Sequence, residues 1–306
     1  MVKEHPTAQP HTRQHRSTES AATGANERSG SRVALITGSS SGFGLLIALV
    51  LARQGWHVIA TMRDLSRRAE LEQQAIQQGL QSRIDYVQLD VHEEHTIAQA
   101  IATLLQQYGR LDVLINNAGY AVGGFVEHVP MEAWRSQLET NLFGMIAVTR
   151  AVLPIMRQQR SGMIINMSSI SGIAAFPGYA PYATSKFAVE GFSESLRQEM
   201  SRFGVHVVLV EPGAYRTAIW NKGLSAIYTT ADSPYNDHLE AVLTYSRHSA
   251  LHAPHPQQVA QLIGRLVNKR RPRLRYAIGR GTAVLVLARR LLPWEWLERM
   301  IDRVLR

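Results

Sequence analysis

The chain has 306 residues, of which 45% are hydrophobic and 19% charged, a composition typical of folded globular proteins and not of disordered or membrane-embedded chains. It contains no cysteine, which excludes disulfides, thiolate catalysis and thiolate metal sites. The formal net charge is +9, but much of the excess lies at the two ends of the chain. Because the middle is more nearly balanced, we predict no nucleic-acid partner.

Residues 1–31 are rich in Ser, Thr, His, Gln and Arg and contain no apolar run. Such a segment cannot bury enough surface to offset its ordering entropy, so we predict a disordered tail. It lacks the apolar stretch of a secretory signal, and its glutamates argue against a transit peptide. We interpret the tail histidines as solvated and predict no metal site. These histidines are His5, His11 and His15.

From Arg32 onward, short β-branched apolar runs alternate with longer segments of helical period. This pattern predicts an α/β fold, a doubly wound, seven-stranded parallel sheet of the Rossmann type with helices on both faces. We assign residues 32–280 to this one domain, and we find no apolar run long enough to span a bilayer. The predicted strands are 33–37, 57–62, 84–88, 113–116, 162–167, 205–210 and 274–278, and the predicted helices are 42–54, 66–78, 93–108, 131–158, 182–203 and 256–268.

The first predicted strand runs into a glycine-rich turn that precedes an amphipathic helix. Glycines permit a tight turn and let the backbone approach a pyrophosphate at a helix N-terminus. The position between strand and helix favours a dinucleotide site over a loop without a ligand. The residues predicted to form this site are Thr37, Gly38, Ser40, Ser41, Gly42, Phe43 and Gly44.

Tyr182 and Lys186 lie four residues apart on a predicted helix and therefore share one face. A phenol, with a pKa near 10, is a poor base at neutral pH, but a nearby ammonium group favours the phenolate. A pKa lowered by about three units corresponds to roughly 4 kcal/mol. We therefore expect Lys186 to lower the pKa of Tyr182 into the range of general acid–base catalysis. Taken alone, such a pair is more often an ordinary surface contact.

The spacing Thr-Gly-x-x-x-Gly-x-Gly in residues 37–44 resembles that of the short-chain dehydrogenases/reductases, and later motifs extend the resemblance over residues 32–280. These motifs are Asp90 after the third strand, Asn116-Asn117-Ala118-Gly119, Asn141 within a helix, Ser169 after the fifth strand, Tyr182-x-x-x-Lys186 and Pro212-Gly213. The resemblance implies an NAD(P)-dependent oxidoreductase acting on CH–OH groups. Its catalytic residues would be Asn141, Ser169, Tyr182 and Lys186.

The resemblance also implies a role for each residue. Tyr182 would be the acid or base, Lys186 would also bind the nicotinamide ribose, Ser169 would orient the substrate oxygen, and Asn141 would hold a water. Ser168 is a competing candidate, but the family's interval to the tyrosine favours Ser169. The further cofactor contacts implied are Asp90, Val91, Asn117, Ala118, Gly119, Pro212, Gly213 and Thr217.

The end of the second strand bears on the choice of cofactor. In dinucleotide folds an acidic residue there binds the adenosine ribose, whereas an arginine accepts a 2′-phosphate. Met62 occupies the position where NAD-preferring family members carry the acid, and Arg63 follows it. We therefore favour NADP(H) over NAD(H). A slip of register would place Asp64 at the ribose and reverse this preference; otherwise Asp64 caps a helix.

Residues 214–254 follow the sixth strand, where the family places its substrate loop. Residues 58–65 and 182–191 look most like the hydroxysteroid and retinol dehydrogenase branch, which implies a hydrophobic secondary alcohol or ketone that is steroid-, retinoid- or lipid-like. Apolar residues here suit a substrate wall and ordinary core packing equally well. The candidates for the wall are Ile219, Trp220, Leu224, Ile227, Tyr228, Phe125, Phe176 and Pro177.

Residues 281–306 form a basic extension with two amphipathic pieces separated by Pro293. We favour packing of the second piece on this chain or on a dimer partner, with a membrane interface as the alternative. We expect a cytoplasmic protein, peripheral to a membrane if this helix binds lipid. The resemblance further implies a homodimer or homotetramer through helices 131–158 and 182–203. The apolar face consists of Trp294, Trp296, Leu297, Met300, Ile301, Val304 and Leu305.

Two other functions remain open at this point. A non-catalytic dinucleotide sensor or regulator could use the same fold, although it would be expected to have lost Tyr182 or Lys186. A nucleotide-sugar epimerase is a weaker alternative, because its glycine turn normally has a different spacing.

Overall fold

The computed structural model describes residues 30–217 and 227–305. Residues 1–29 of the predicted tail and three wall candidates, Ile219, Trp220 and Leu224, lie outside these residues. The central sheet has seven strands in the order β3-β2-β1-β4-β6-β7-β9, and every neighbouring pair is parallel. The predicted doubly wound sheet is thereby confirmed. Its strands are β1 (Val33–Ile36), β2 (His57–Met62), β3 (Ile84–Gln88), β4 (Val113–Asn116), β6 (Gly162–Met167), β7 (Val205–Pro212) and β9 (Arg275–Ile278), and a separate small sheet pairs β5 (Gly123–Gly124) with β8 (Ile227–Tyr228).

Helices cover both faces of the central sheet. The helices are α1 (Gly42–Arg53), α2 (Ala69–Gln77), α3 (Glu94–Tyr108), α4 (Met131–Gln159), α5 (Ala180–Ser201), α6 (Asn236–Leu251), α7 (Gln257–Leu266), α8 (Thr282–Leu291) and α9 (Trp294–Leu305). Helices α1, α2 and α7 pack on one face, and α3, α4 and α5 pack on the other. Helix α6 follows β7, and helices α8 and α9 follow β9.

Strand β1 shows why the sheet needs both layers. Its four residues are completely buried. Val33 and Leu35 pack on the layer of α3, α4 and α5, whereas Ala34 and Ile36 pack on the layer of α1, α2 and α7. Because side chains alternate along a strand, a strand covered on both faces is apolar throughout. Parallel pairing also brings the carboxyl ends of all seven strands to one edge of the sheet.

Helix α4 contains an irregular turn that the sequence did not predict. It consists of α-helix Met131–Leu138, a π-helical segment Glu139–Gly144, and α-helix Met145–Gln159. An 18-residue window of this helix has a mean hydropathy of 1.2, so by length and composition alone the helix could cross a membrane. Because Val148 and Val152 are completely buried against the sheet, we interpret α4 as a core helix.

Two other predicted helix boundaries were wrong. Helix α5 begins at Ala180, two residues early, and Pro181 stands at its start, where the missing N–H has no helical partner to lose. The predicted helix 66–78 is divided into a 3₁₀ turn, Leu65–Arg68, and α2. The Asp64 carboxylate accepts a hydrogen bond from the Ser66 N–H at 2.9 Å and stabilises that tight turn.

Candidate active site

The glycine-rich turn between β1 and α1 lies at the carboxyl edge of the sheet. Gly38 and Gly42 have φ values of +69° and +60°, in the left-handed region that favours glycine. A Cβ on Gly44 would lie 2.3 Å from the Gly38 carbonyl oxygen. Ser41 is the extended N-cap residue of α1, and its side chain makes no capping bond to the first turn. The first-turn N–H groups of α1 thus fit the pyrophosphate of a dinucleotide.

Thr37 and Asn117 join the turn to the end of β4. The Thr37 hydroxyl accepts hydrogen bonds from the Asn117 and Ala118 N–H groups at 2.9 and 3.0 Å. The Asn117 amide donates in return to the carbonyl oxygens of Thr37 and Gly38, at 2.9 and 3.0 Å. These four bonds hold the glycine turn and the Asn-Ala-Gly segment in one fixed arrangement.

Arg63 and Asp64 follow β2 at the same edge. Arg63 is exposed, whereas Met62, one residue earlier, is buried at the end of the strand. The hydrogen bond from Ser66 lowers the pKa of Asp64 below its usual range, and the nearby arginines act in the same direction. Asp64 therefore serves as a capping residue, and the adjacent Arg63 is exposed and follows directly after β2.

Asp90 and Val91 follow β3 and lie beside α4. The Asp90 carboxylate accepts a hydrogen bond from the His92 N–H at 3.1 Å. Val91 packs so closely on Gly144 that a Cβ on this glycine would lie 2.6 Å from the Val91 side chain. The π-helical segment of α4 therefore reaches the edge of the sheet where the glycine turn lies.

Asn141 lies within the π-helical segment and is 3% exposed. Its side chain accepts a hydrogen bond from the Tyr120 N–H at 3.1 Å and donates to the Tyr120 carbonyl oxygen at 3.0 Å. It also donates to the Ser185 hydroxyl at 3.1 Å. A Cβ on Gly119 would lie 3.0 Å from the Asn141 amide oxygen. Asn141 thus connects the segment after β4 to helix α5. Its partner on α5, Ser185, was not among the predicted site residues.

Ser169 and Tyr182 meet at the end of β6. The Ser169 hydroxyl lies close enough to Tyr182 to act on its pKa, and the Ser169 oxygen accepts a hydrogen bond from the Ser171 N–H at 3.1 Å. The neighbouring Ser168 lies instead near Glu190. Of the two serines in this segment, Ser169 is therefore the one in contact with the tyrosine.

Lys186 lies one helical turn after Tyr182 and is 7% exposed. Its ammonium group donates to the Met167 carbonyl oxygen at 2.7 Å and lies 5.6 Å from the centre of the Tyr182 ring. Burial lowers the pKa of Lys186 to about 8, while the charge of Glu190 acts in the opposite direction. The Lys186 ammonium group therefore loses its proton more readily than that of a solvated lysine.

The expected lowering of the Tyr182 pKa is wrong in direction. Burial raises the pKa of Tyr182 above its ordinary value of 10.0, and the hydrogen bond with Ser169 offsets this only in part. The tyrosine is consequently a neutral phenol at neutral pH. In this form the phenol carries the proton that it could give to a bound ligand.

An acidic pair that the sequence analysis missed lies behind the lysine. Glu190 on α5 and Glu211 near the end of β7 are 5% and 1% exposed. Arg275 binds Glu190 at 2.8 Å and Glu194 at 2.6 Å, and lies 3.8 Å from Glu211. Burial, followed by the charge of Glu190, raises the pKa of Glu211 to about 7. Glutamates in a strand and a helix are ordinarily solvated, so the sequence offered no signal for this pair.

Substitution Glu211→Gln is expected to reduce the dependence of stability on pH. Folding raises the pKa of Glu211 from 4.5 to about 7, so the folded state favours the protonated carboxyl. The contribution of Glu211 to stability is complete below about pH 4.5 and is lost as the pH rises through about 7, in total on the order of 3 kcal/mol. Urea unfolding across this range measures the loss. Glu194→Gln, a substitution at the exposed partner of the same arginine, should keep the wild-type slope, and a wild-type slope in Glu211→Gln would contradict the assignment.

A cavity of about 510 Å³ opens at the carboxyl edge of the sheet. Apolar side chains form most of its wall, and neither Lys186 nor Asn141 is among the described residues that line it. Arg63 and Asp90 lie elsewhere on the edge, beyond β2 and β3. Six predicted site residues line the cavity: Phe43, Ser169, Tyr182, Pro212, Gly213 and Thr217.

The predicted substrate wall is only partly found in this cavity. Phe176 and Pro177 line it, together with Tyr179, whose hydroxyl is hydrogen-bonded to Ser246 at 3.1 Å. Phe125 instead stacks on a tyrosine of the neighbouring loop, with ring centres 4.9 Å apart. The sequence could not distinguish these aromatic residues, because composition does not report side-chain direction. The structure adds wall residues that were not predicted: Tyr215, Val242, Tyr245, His248, Leu285 and Ile301.

Two further wall candidates form a small strand. Ile227 and Tyr228 make up β8 and pair with Gly123 and Gly124. Neither is among the described residues that line the cavity. The start of the described part of this segment therefore pairs with the loop after β4. Helix α6, later in residues 214–254, contributes residues to the cavity wall.

Fold and site together define a class of protein. A doubly wound parallel sheet carries a glycine turn suited to pyrophosphate, and an apolar cavity at the same edge contains a serine–tyrosine pair backed by a lysine. Sheets of this kind bind dinucleotides at the carboxyl edge. These features define a dinucleotide-dependent oxidoreductase.

The chain belongs to the short-chain dehydrogenase family, since the family model described as short chain dehydrogenase matches residues 32–226. It is 43% identical over 277 residues to the uncharacterized oxidoreductase YusZ of Bacillus subtilis, covering 90% of this chain and 98% of that protein. It is 38% identical over 256 residues to retinol dehydrogenase 8 of Bos taurus, covering 80% of each. The solved structure of ElxO with NADP bound is similar, with a TM-score of 0.69, 26% identity, and coverage of 83% of this chain and 99% of that one. The protein is thus an NAD(P)-dependent dehydrogenase or reductase acting on CH–OH groups.

Proposed function

We propose that this protein transfers a hydride between NADP(H) and a bulky hydrophobic secondary alcohol or ketone, with Tyr182 as the acid or base. The observation that carries this proposal is the placement of Ser169 and Tyr182 together on the wall of an apolar cavity, beside the glycine turn. The test is loss of turnover in Tyr182→Phe with retained cofactor binding.

Each residue of the site has a different role in carbonyl reduction. The nicotinamide supplies the hydride when it is bound. Tyr182, neutral because of its burial, gives its proton to the carbonyl oxygen as the new C–H bond forms. Ser169 holds the same oxygen by a hydrogen bond, and the Lys186 ammonium stabilises the tyrosinate that remains. In the oxidation direction the tyrosinate takes the hydroxyl proton back.

Lys186 and Asn141 complete the proposed site behind the tyrosine. The resemblance to the family gives Lys186 a second role as a ligand of the nicotinamide ribose and gives Asn141 a water that relays protons. Asn141 is supported by its buried position and its bond to Ser185, which lies one residue before the lysine. Its amide holds the backbone of Tyr120 and so keeps that segment beside α5.

The preference for NADP(H) is supported by the different positions of Arg63 and Asp64. The arginine is exposed, and the aspartate is engaged in capping the 3₁₀ turn. An arginine at this place forms charge-assisted bonds with a 2′-phosphate. The similar structure of ElxO was solved with NADP bound.

Substitution Arg63→Ser is expected to weaken NADPH binding about tenfold to a hundredfold and to leave NADH binding nearly unchanged, because hydrogen bonds to charged groups contribute about 1.5–3 kcal/mol. Fluorescence titration with each cofactor measures the two affinities. Arg135→Ser, a change at another exposed arginine, provides the control. Equal losses for both cofactors would contradict a contact with the 2′-phosphate.

The proposed substrate class follows from the wall of the cavity. Aromatic and aliphatic side chains from the loop after β6 and from α6, α8 and α9 surround the tyrosine. One similar protein is named for retinol, and another, from Rattus norvegicus, is named estradiol 17-beta-dehydrogenase 1. A steroid-, retinoid- or lipid-like ketone fits a cavity of this size and polarity.

We also propose a cytoplasmic homodimer or homotetramer formed through α4 and α5. Phe143 on α4 is 52% exposed, and Phe187 on α5 is 42% exposed. Both helices bury their opposite faces against the sheet. Outward phenylalanines on neighbouring helices are suited to contact the same surface of a second copy.

A further inference from the structure

Helices α8 and α9 form a hairpin that closes one side of the cavity. Thr282 and Leu285 from α8 line the cavity, as do Met300 and Ile301 from α9. Leu297 is 1% exposed, and α9 packs on α6. The apolar face predicted for the last helix is therefore divided between two surroundings. Leu297, Met300 and Ile301 pack on this chain, whereas Trp294 and Trp296 are exposed.

The outer side of this hairpin is strongly apolar. Large hydrophobic residues are exposed there by 42% to 67%, in α8, at Leu292 between the two helices, and in the first turn of α9. Of the fourteen large hydrophobic residues that the described part of the chain exposes, six lie in this short segment. Singly exposed apolar residues are ordinary, whereas a continuous group marks an interaction surface. We call this group the C-terminal patch: Val284, Leu287, Leu291, Leu292, Trp294 and Trp296.

The charges beside the C-terminal patch are positive. From Arg280 to Trp294 the chain carries three arginines and no acidic residue. Arg289 and Arg290 are exposed, and the guanidinium group of Arg289 lies 5.5 Å from the centre of the Trp294 ring. The acidic residues of the segment begin with Glu295, on α9. The surface presented by α8 is therefore apolar and basic without compensating carboxylates.

Two occupants could cover such a surface, a lipid bilayer or a second copy of this chain. A twofold interface would place the same basic surface against itself, bringing Arg289 and Arg290 towards their counterparts. An anionic bilayer offers phosphates to the arginines and an apolar layer to the leucines. Tryptophan side chains such as Trp294 and Trp296 are enriched at the boundary between the two.

We propose that α8 and the start of α9 dock this protein on an anionic lipid surface, with the cavity opening beside the bilayer. Leu285 lines the cavity while its neighbours Val284 and Leu287 belong to the patch, so one helix forms both surfaces. A hydrophobic substrate could then pass from lipid to the cavity without crossing water. Delivery of substrate rests on the proposed function, whereas docking does not.

The test uses the full chain and vesicles of phosphatidylcholine with and without phosphatidylglycerol. Wild-type protein should sediment with the anionic vesicles and little with the neutral ones. Arg289→Gln/Arg290→Gln should weaken this binding by about 30-fold, since each arginine near an anionic surface contributes about fivefold. The matched control is Arg67→Gln/Arg68→Gln, an adjacent exposed pair whose loss of charge is the same. Equal binding by the two double variants would overturn the proposal.

A second measurement reports insertion. Tryptophan fluorescence should be quenched by brominated phospholipids in the wild type and much less in Trp294→Phe/Trp296→Phe. Absence of quenching in the wild type would contradict docking through the C-terminal patch. If the patch joins two copies instead, light scattering will give a lower mass for Trp294→Phe/Trp296→Phe than for the wild type, without vesicle binding. None of these readouts requires turnover, so failure of docking and failure of the proposed reaction are distinguishable.

Discussion

Substitution Tyr182→Phe is expected to reduce kcat by about a hundredfold to ten-thousandfold, the usual contribution of a positioned general acid. The change removes one hydroxyl oxygen and leaves the ring in place between Ser169 and Lys186. The hydride step then lacks a proton donor for the carbonyl oxygen, while the glycine turn is untouched. The measurement is NADPH oxidation in the presence of a hydrophobic ketone, together with NADPH titration of both proteins.

Tyr179→Phe is the matched control for this experiment. Tyr179 stands three residues earlier, lines the same cavity and is hydrogen-bonded to Ser246 at 3.1 Å. Loss of its hydroxyl should leave kcat within a few-fold of the wild type, because the group does not touch Ser169. Equal losses in the two variants, or normal turnover in Tyr182→Phe, would contradict the assigned role. Tight cofactor binding without turnover of any ketone would favour the sensor.

The grouping of the site residues at one edge of the sheet could be predicted from the sequence because the sheet is parallel. Each β-branched run ends at the same edge, so residues after strands β1, β4, β6 and β7 must meet there. The glycine turn, the Asn-Ala-Gly segment, Ser169 and Pro212 could therefore be placed together from sequence spacing alone. Their distances follow from hydrogen bonds between segments that are far apart in sequence, such as that between Thr37 and Asn117.

The direction of the Tyr182 pKa could not be predicted in the same way. Spacing on a helix shows that Lys186 is near, but burial is a property of the whole fold, and it decides the pKa here. The π-helical segment around Asn141 is a second example. A π-helical turn contains one more residue than an α-helical turn, and this leaves no signature in the amino-acid composition of the segment. The extra residue nevertheless places Asn141 where its side chain bonds Tyr120 and Ser185.

Substitution Gly44→Ala is expected to lower both stability and NADPH affinity. The added Cβ would lie 2.3 Å from the Gly38 carbonyl oxygen and 2.6 Å from the Asn117 amide nitrogen, distances that real contacts do not allow. Relief requires the turn to move and the bonds from Asn117 to Thr37 and Gly38 to break. We expect the free energy of unfolding to fall by about 3 kcal/mol and NADPH binding to weaken at least about tenfold.

Gly191→Ala separates this clash from a general effect of adding a methyl group. Gly191 lies in the interior of α5, and a Cβ there meets no heavy atom within 4 Å. This substitution should raise the free energy of unfolding by about 0.5–1 kcal/mol, because alanine loses less backbone entropy than glycine in a helix. Urea unfolding and NADPH titration of the two variants give the comparison. Wild-type affinity in Gly44→Ala would mean that the turn can shift without losing the pyrophosphate, and the close packing of Gly44 on Gly38 would then have no part in cofactor binding.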